Sequence, residues 1–193
     1  MSDFLAQENS RLPDSSQRAQ FERVVLPHLD AAYNLARWLT RNDHDAEDVT
    51  QEACIRAFRF FDSFHSGNAR TWLLTIVRHT CYSWLKKHRA EKSTMMFDEQ
   101  LHSLGGNDAG GVPTCATPET LLLQNAELRQ LDQYLEALPL EFREAVILRE
   151  LEGLSYKEIS AITEVPVGTV MSRLARGRNL LQQKPGSGTK SGT

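Results

Sequence analysis

The chain has 193 residues, 40% of them hydrophobic and 24% charged, and a formal net charge of −3. This composition is typical of a soluble globular protein and shows no overall basic excess of the kind that marks many nucleic-acid binders. No apolar run approaches the ~18 residues of a membrane span, and the polar N-terminus lacks the apolar centre of a signal peptide. We therefore expect a cytoplasmic protein without membrane insertion.

Three helices are predicted in the first half of the chain, where strand signals are scarce. They run from Phe21 to Leu39, from about Asp45 to Phe61 with the Asp45 carboxylate as N-cap, and from about Ala69 to Arg89. We predict that they form a helical domain over residues 15–92. The inward positions of the second and third helices are Ala46, Val49, Ala53, Ala57, Phe60, Leu73, Ile76, Val77, Thr80, Cys81 and Trp84.

A break in the pattern separates two helical blocks. Residues 93–116 contain glycine pairs and no sustained period, which predicts a flexible linker. Helix resumes with Thr117 as cap and Pro118 at the first helical position. Residues 117–183 then form a second helical domain, and residues 184–193 a disordered tail. The inward positions of the second domain are Leu128, Leu131, Tyr134, Leu135, Leu138, Phe142, Ala145, Val146, Leu148 and Leu151, and Gly153 is predicted to end a helix there. The predicted fold class is all-α, with two small domains.

A helix-turn-helix is predicted inside the second domain. Ser155 and Glu158 have capping-box spacing, so that each side chain satisfies a backbone amide near the helix start. Ile159 and Ile162 face inward, and Val165-Pro166 breaks the helix before a second one begins near Val167. The packed side of this second helix holds Val170, Leu174, Gly177 and Leu181.

The outward stripe of that second helix has the chemistry of a DNA recognition helix. Short polar side chains come first and guanidinium groups follow, and arginine can pair with guanine or hold phosphates. The stripe consists of Thr169, Ser172, Arg173 and Arg176. The competing interpretation is a helical hairpin with a solvated basic face. The capping box, the short turn and the purely basic charge of residues 173–190 favour the recognition helix.

The third helix carries a stripe of cations and aromatic rings. Arg78, Tyr82, Lys86 and Arg89 share one face, and Trp72, Thr75 and His79 lie beside it, after a loop over residues 60–68 crowded with aromatic and amide groups. Cations that track phosphates and rings that stack on bases are the chemistry of single-strand capture. The alternative is that the aromatic residues are simply core, and Phe60 and Trp84 are assigned there.

The second helix begins with an acidic face. Asp45, Asp48 and Glu52 lie on one side with Gln51 adjoining. Such a face is by default a solvated surface that also complements the helix dipole. The functional alternative is a docking face for a basic protein partner, pointing away from nucleic acid.

No catalytic, metal or cofactor site is predicted. The six histidines have no HExxH or CxxC companion, and no glycine-rich phosphate loop follows a strand. Cys54, Cys81 and Cys115 are odd in number and widely spaced, which argues against a disulfide framework and fits a reducing compartment. The sequence does not say whether any of them senses redox state.

Residues 45–59 (DAEDVTQEACIRAFR) and 64–87 (FHSGNARTWLLTIVRHTCYSWLKK) are similar to the N-terminal domain of the extracytoplasmic-function sigma factors of bacterial RNA polymerase, a family that belongs to the sigma-70 proteins. Residues 135–181 are similar to its C-terminal domain, in the right order and after a linker of suitable length. The resemblance implies a non-enzymatic subunit that directs promoter-specific initiation.

The resemblance also implies a role for each surface. The acidic face would dock on the clamp of the largest polymerase subunit, through Asp45, Asp48, Gln51 and Glu52. The minus-ten element would be read and opened by Asn68, Trp72, Arg78, His79, Tyr82, Lys86 and Arg89. The minus-thirty-five element would be read by Thr169, Ser172, Arg173 and Arg176. Further partners implied by the family are the polymerase flap and an anti-sigma factor. The linker would thread toward the polymerase active-site and RNA-exit channels.

Three positions depart from the family pattern. His79 stands where asparagine is common, which leaves the minus-ten bases open. Met171 replaces a frequent lysine, which removes a cation from the recognition helix. Glu164 occupies a turn position commonly held by glycine, at a cost on the order of 1 kcal/mol if φ there is positive. The alternative function is a stand-alone helix-turn-helix regulator, which would leave the acidic face and the aromatic loop without a purpose.

Overall fold

The computed structural model of the chain describes residues 15–64, 67–95 and 132–183. All regular structure within these ranges is helical, which confirms the predicted all-α class. The predicted tail and nearly all of the predicted linker lie outside the described residues, as do Thr117, Pro118, Leu128 and Leu131.

The first helical group has four α-helices and two short 3₁₀ turns. The α-helices are α1 (Ser15–Val25), α2 (Leu29–Thr40), α3 (Asp43–Arg59) and α4 (Ala69–Met95). The single helix predicted from Phe21 to Leu39 is wrong. A 3₁₀ turn at Leu26–His28 interrupts it, because Pro27 lacks the amide hydrogen that a continuous α-helix would use there.

The start of α3 differs from the prediction by three residues. Asn42, not Asp45, is the N-cap: its side-chain oxygen accepts a hydrogen bond from the Asp45 amide at 3.0 Å. The small inward positions of α3, its three alanines and Val49, are buried as predicted and allow close approach of α2 and α4.

Of two aromatic residues assigned to the core, Phe60 lies at the surface and Trp84 is only partly buried against the core. Phe60 is 61% exposed, because α3 ends at Arg59 before it. In the 3₁₀ turn that follows, Phe61–Ser63, it is Phe61 that is buried. Phe61 meets Phe21 edge-on, with ring centroids 5.3 Å apart. Trp84 is only partly buried and stacks on His88 at 3.8 Å. Helix α4 also continues to Met95, past the predicted end near Arg89, through a stretch without proline or glycine.

The second helical group contains α5 (Leu140–Val146), α6 (Tyr156–Thr163) and α7 (Val167–Gln182). A π-helical turn, Ile147–Leu151, extends α5, and the Glu152 amide bonds the carbonyl of Ile147, five residues back, at 3.1 Å. This wide turn rotates the chain, so that Leu151, predicted to pack inward, is 52% exposed. Gly153 has a φ of 65°, as its predicted role as a helix stop requires.

The two helical groups pack directly on each other. Arg143 of α5 is 1% exposed, and its guanidinium donates to the carbonyl oxygens of Trp38 and Leu138, both at 2.8 Å. The Trp38 carbonyl belongs to the last turn of α2, where carbonyls lack partners within the helix. Burial lowers the pKa of Arg143 to about 10.

Helices α5 and α7 touch where a glycine replaces a side chain. A Cβ added at Gly177 would lie 2.8 Å from Cγ2 of Val146 and 3.4 Å from the Phe142 carbonyl oxygen. Gly168, in the first turn of the same helix, has nothing within 4 Å of its added Cβ. The sequence placed Gly177 on the packed side of the helix, and this contact is the reason.

We expect Gly177→Ala to lower the free energy of unfolding of the full chain by about 1–3 kcal/mol, because the new methyl group pushes α5 from α7. Gly168→Ala is the matched control, and we expect it to raise stability by about 0.5–1 kcal/mol through the better helix propensity of alanine. Urea unfolding followed by circular dichroism measures both. Equal effects of the two substitutions would contradict the close contact.

Candidate nucleic-acid interface

The predicted capping box forms at the start of α6. The Glu158 carboxylate accepts from the Ser155 amide at 2.8 Å, and the Ser155 hydroxyl oxygen accepts from the Glu158 amide at 3.3 Å. The Ser155 amide and the Ser155 hydroxyl both donate to the Glu158 carboxylate, and these two bonds lower the pKa of Glu158. Ile159 and Ile162 are fully buried below it, as predicted. The cap therefore fixes where the first helix of the turn motif begins.

The turn between α6 and α7 is short and partly strained. Glu164 has a φ of 56°, so that the left-handed conformation anticipated for this position is present on a non-glycine residue. The Ser160 hydroxyl donates to the Val165 carbonyl at 2.6 Å, which gives this carbonyl of the turn a hydrogen-bond partner. Pro166 then precedes the first residue of α7.

The outward stripe of α7 is only partly open to solvent. Ser172 and Arg176 are exposed, whereas Thr169 is half-buried and accepts from the Ser172 hydroxyl through its carbonyl at 2.9 Å. Arg173 keeps 20% of its side chain exposed and pairs with Glu141 at 3.1 Å. Val170, Leu174 and Gly177 are buried on the opposite side. The structure thus brings the four predicted minus-thirty-five residues onto one helix surface.

The aromatic loop and the start of α4 form a shallow cavity of about 440 Å³. Trp72 tilts against Phe64 with ring centroids 5.0 Å apart, and both rings are half-buried. Residues of both helical groups line this cavity, among them Asn68 and Trp72 of the first and Lys157 and Glu158 of the second. The sequence offered two interpretations of these rings, as core residues or as exposed surfaces for stacking on bases. Both rings are half-buried, which is intermediate between the two.

Asn68 holds the start of α4 and reaches across to α6. Its side-chain oxygen accepts from the Thr71 amide at 3.2 Å, and its amide nitrogen donates to Glu158 at 2.8 Å. Further along α4, His79 lies 3.3 Å from Glu164. Lys86 and Arg89, at the far end of the stripe, are exposed.

A buried cluster joins the centre of α4 to α5. Arg78 donates to Glu144 at 2.7 Å, and the Tyr82 hydroxyl donates to the other carboxylate oxygen at 3.2 Å. The Arg78 guanidinium also lies 4.5 Å from the centroid of the Tyr82 ring. Glu144 is fully buried, and this burial raises its pKa although Arg78 opposes the shift. Burial and the nearby carboxylate raise the pKa of Tyr82 to about 12.

A second cross-domain ion pair was not foreseen from the sequence. Arg70 donates to both the side chain and the backbone carbonyl of Glu152, which is 7% exposed. Neither this pair nor Glu144 or Arg143 was singled out. The sequence did contain a signal for these buried charges. Arg143 and Glu144 directly precede a run of apolar residues that must be buried, and a buried charge needs a partner.

The acidic face of α3 is open to solvent. Asp48, Gln51 and Glu52 are exposed and Asp45 is half-buried, and Glu52 pairs only with Arg56 of its own helix among the ion pairs described. Ile55, 54% exposed, adjoins this face one turn further on, and Phe60 follows the helix. Apolar side chains beside a charged face are typical of protein contact surfaces.

Two kinds of site are absent from the described parts of the chain. Residues 15–64, 67–95 and 132–183 hold no group of histidine, cysteine and carboxylate side chains arranged to bind a metal ion. None of the helices in those ranges is long and apolar enough to cross a membrane.

Comparisons with known proteins match both helical groups. Residues 24–91 match sigma-70 region 2, and residues 128–181 match sigma-70 region 4. The ECF RNA polymerase sigma-E factor of Escherichia coli K12 is 39% identical over 142 residues, which cover 72% of this chain and 73% of that protein. The ECF RNA polymerase sigma factor SigE of Mycolicibacterium smegmatis is 34% identical over 169 residues, 88% of this chain but only 63% of the relative.

Solved structures of similar fold include two proteins bound to partner proteins, the first of them a sigma factor. The sigma factor RpoE of Bartonella quintana, in complex with the anti-sigma factor NepR, aligns with a TM-score of 0.67 and 29% identity over 84% of this chain and 94% of that one. CnrH, in complex with the cytosolic domain of CnrY, aligns with a TM-score of 0.58 and 20% identity over 86% of each chain, a likeness of fold alone. With regions 2 and 4 matched in order and the Escherichia coli relative covered over most of its length, this chain belongs to the ECF family of RNA polymerase sigma factors.

Proposed function

We propose that the chain binds core RNA polymerase and directs promoter-specific transcription initiation. Family membership across both helical groups is the observation that supports this most strongly. The helix-turn-helix with its capping box supports recognition of duplex DNA by α7, and the cation and aromatic stripe of α4 supports capture of the melted minus-ten strand. Base–aromatic stacking contributes roughly 1–3 kcal/mol per base, comparable to the few kcal/mol that unstacking a base costs.

On this proposal the chain carries out no chemistry of its own. The relatives it matches are sigma factors, and the polymerase performs the reaction. We expect the chain to act in the cytoplasm, because the promoter and the polymerase are there. An anti-sigma factor holds it inactive, a partner suggested by the complex of the similar protein RpoE with NepR.

The domain division follows the same scheme. Residues 15–92 dock on core polymerase and bind the minus-ten element, residues 117–183 bind the minus-thirty-five element and the flap, and residues 93–116 connect them. The minus-ten set is Asn68, Trp72, Arg78, His79, Tyr82, Lys86 and Arg89. The minus-thirty-five set is Thr169, Ser172, Arg173 and Arg176.

The direct test is transcription in vitro with purified core enzyme on a promoter library. We expect initiation from a subset of templates only when the chain is added. The rival function, a stand-alone regulator, requires strong sequence-specific footprints on duplex DNA without polymerase. Failure to bind core and to direct initiation from any template would overturn the proposal.

We expect Asp48→Arg to abolish polymerase-dependent initiation by weakening association with core, because it reverses the charge at the centre of the acidic face. Asp48 is exposed, so helical content should be unchanged. Glu22→Arg is the matched control, since Glu22 is an exposed carboxylate of α1 that pairs with Arg18. Co-sedimentation or surface plasmon resonance with core measures the effect. Unchanged affinity for core would remove the docking role from α3.

We expect Arg173→Ala to cost roughly 1–3 kcal/mol at one or two minus-thirty-five positions, because arginine reads a base edge through paired hydrogen bonds. Arg178→Ala is the control, since Arg178 is an exposed arginine of the same helix that pairs with Glu150. Transcription from a minus-thirty-five library by holoenzyme carrying each variant gives the position-specific loss. A uniform loss with a shallower salt dependence would assign Arg173 to phosphate instead.

A further inference from the structure

Two large apolar side chains are exposed at the start of α7, the helix proposed to read duplex DNA. Met171 is 53% exposed and Val167 is 38% exposed. They stand four residues apart, so that they are neighbours on one side of the helix. Neither packs against the hydrophobic core of the described residues. Val167 and Met171 therefore form a small exposed apolar surface, which we call the apolar edge.

The apolar edge adjoins polar residues that are proposed to read the minus-thirty-five element. Successive residues of an α-helix are about 100° apart around its axis, so that Ser172 follows Met171, and Arg176 follows Ser172, on one side of α7. Ser172 and Arg176 are exposed as well, whereas Val170 and Leu174 are buried on the other side. One exposed surface of α7 thus passes from apolar to polar to basic side chains.

The charge around the apolar edge favours DNA over a protein as its partner. Single exposed apolar residues are common on protein surfaces and need no partner. The apolar edge differs from these because the sequence of α7 contains arginines and no acidic residue. Leu151, which is 52% exposed, instead follows Arg149 and Glu150, one charge of each sign. A purely basic helix complements a polyanion, and the second helix of a helix-turn-helix enters the major groove.

The major groove offers one apolar group to such an edge, the C5 methyl group of thymine. Cytosine presents an amino group there, and guanine presents acceptors. A methionine side chain leaves those polar groups without a strong partner, because its sulfur is only a weak acceptor, and burial of an unpaired polar group is costly. The side chain is also unbranched and flexible, so that it adapts to the position of a methyl group. The chemistry of Met171 therefore favours thymine over the other bases.

We propose that Met171, with Val167 beside it, reads the methyl group of a thymine in the minus-thirty-five element. The contact is apolar and adds to the hydrogen bonds of Ser172, Arg173 and Arg176. It selects one A·T pair of the promoter and the strand on which the thymine of that pair lies. This inference rests on the proposed minus-thirty-five role of α7. Neither Met171 nor Val167 belongs to the set of residues predicted to contact that element.

Deoxyuridine tests the contact directly, because it pairs as thymine does and lacks only the C5 methyl group. The test uses holoenzyme, that is, core polymerase with the full chain, and double-stranded promoters selected from the library. Each minus-thirty-five thymine is replaced by deoxyuridine in turn, and filter binding measures the affinity for the promoter. We expect one replacement to weaken binding by wild-type holoenzyme roughly threefold to fivefold, the effect of losing one buried methyl group.

Variants assign that effect to Met171. Met171→Gln keeps the length of the side chain and makes its end polar, and we expect it to remove the difference between thymine and deoxyuridine. Met171→Leu keeps an apolar side chain and should retain the difference. Leu151→Gln is the matched control, since it changes an exposed apolar residue outside α7 and should leave the difference at its wild-type value. Each readout compares two DNAs for one protein, so that effects on folding or core binding cancel.

A lysine at the same position measures whether the side chain reaches DNA. Met171→Lys adds a cation, and one added phosphate contact steepens the fall of the logarithm of the binding constant with the logarithm of salt concentration by about 0.9. We expect this steepening for holoenzyme with Met171→Lys. Leu151→Lys adds the same charge outside α7, and we expect less steepening there.

The absence of any thymine whose replacement weakens wild-type binding contradicts the inference. Equal sensitivity to deoxyuridine in wild type and Met171→Gln contradicts it too, as do equal salt slopes for Met171→Lys and Leu151→Lys. These results concern Met171 alone when wild-type holoenzyme initiates transcription from the library. A wild-type chain that directs no initiation contradicts the proposed function, and the reading of thymine by Met171 with it.

Discussion

The arrangement of the two helical groups depends on one buried carboxylate. Glu144 has no exposed surface, and both of its oxygens receive hydrogen bonds from α4, from Arg78 and from Tyr82. Removing a charge from water is costly unless a partner compensates it. The burial of Glu144 is therefore compensated only while α5 lies against α4.

The same principle explains which features could be predicted from the sequence. The capping box at Ser155 and Glu158 and the stop at Gly153 follow from the geometry of a few neighbouring residues. The exposure of Phe60 and Leu151 does not, because it depends on how one 3₁₀ turn and one π turn rotate the chain after a helix. Periodicity assumes a continuous helix and fails where the winding changes.

Helical spacing predicted which residues of α4 share one face, but not which residues cover that face. The stripe of Arg78, Tyr82, Lys86 and Arg89 follows from helical spacing within one element. Arg78 and Tyr82 are covered while Lys86 and Arg89 are exposed, because α5 brings Glu144 from more than sixty positions away against the first two. No local pattern contains that information, although charged residues beside an apolar run hint that a partner is needed.

The two oxygens of Glu158 have separate tasks, and this separation has a consequence for the DNA-reading module. One oxygen closes the cap of α6 on Ser155, and the other accepts from Asn68 across the interface. The cap therefore does not depend on the contact with Asn68, because the two bonds use different oxygens of Glu158. On the proposed function, α6 and α7 would meet the promoter already ordered, without an entropy cost for forming the start of α6.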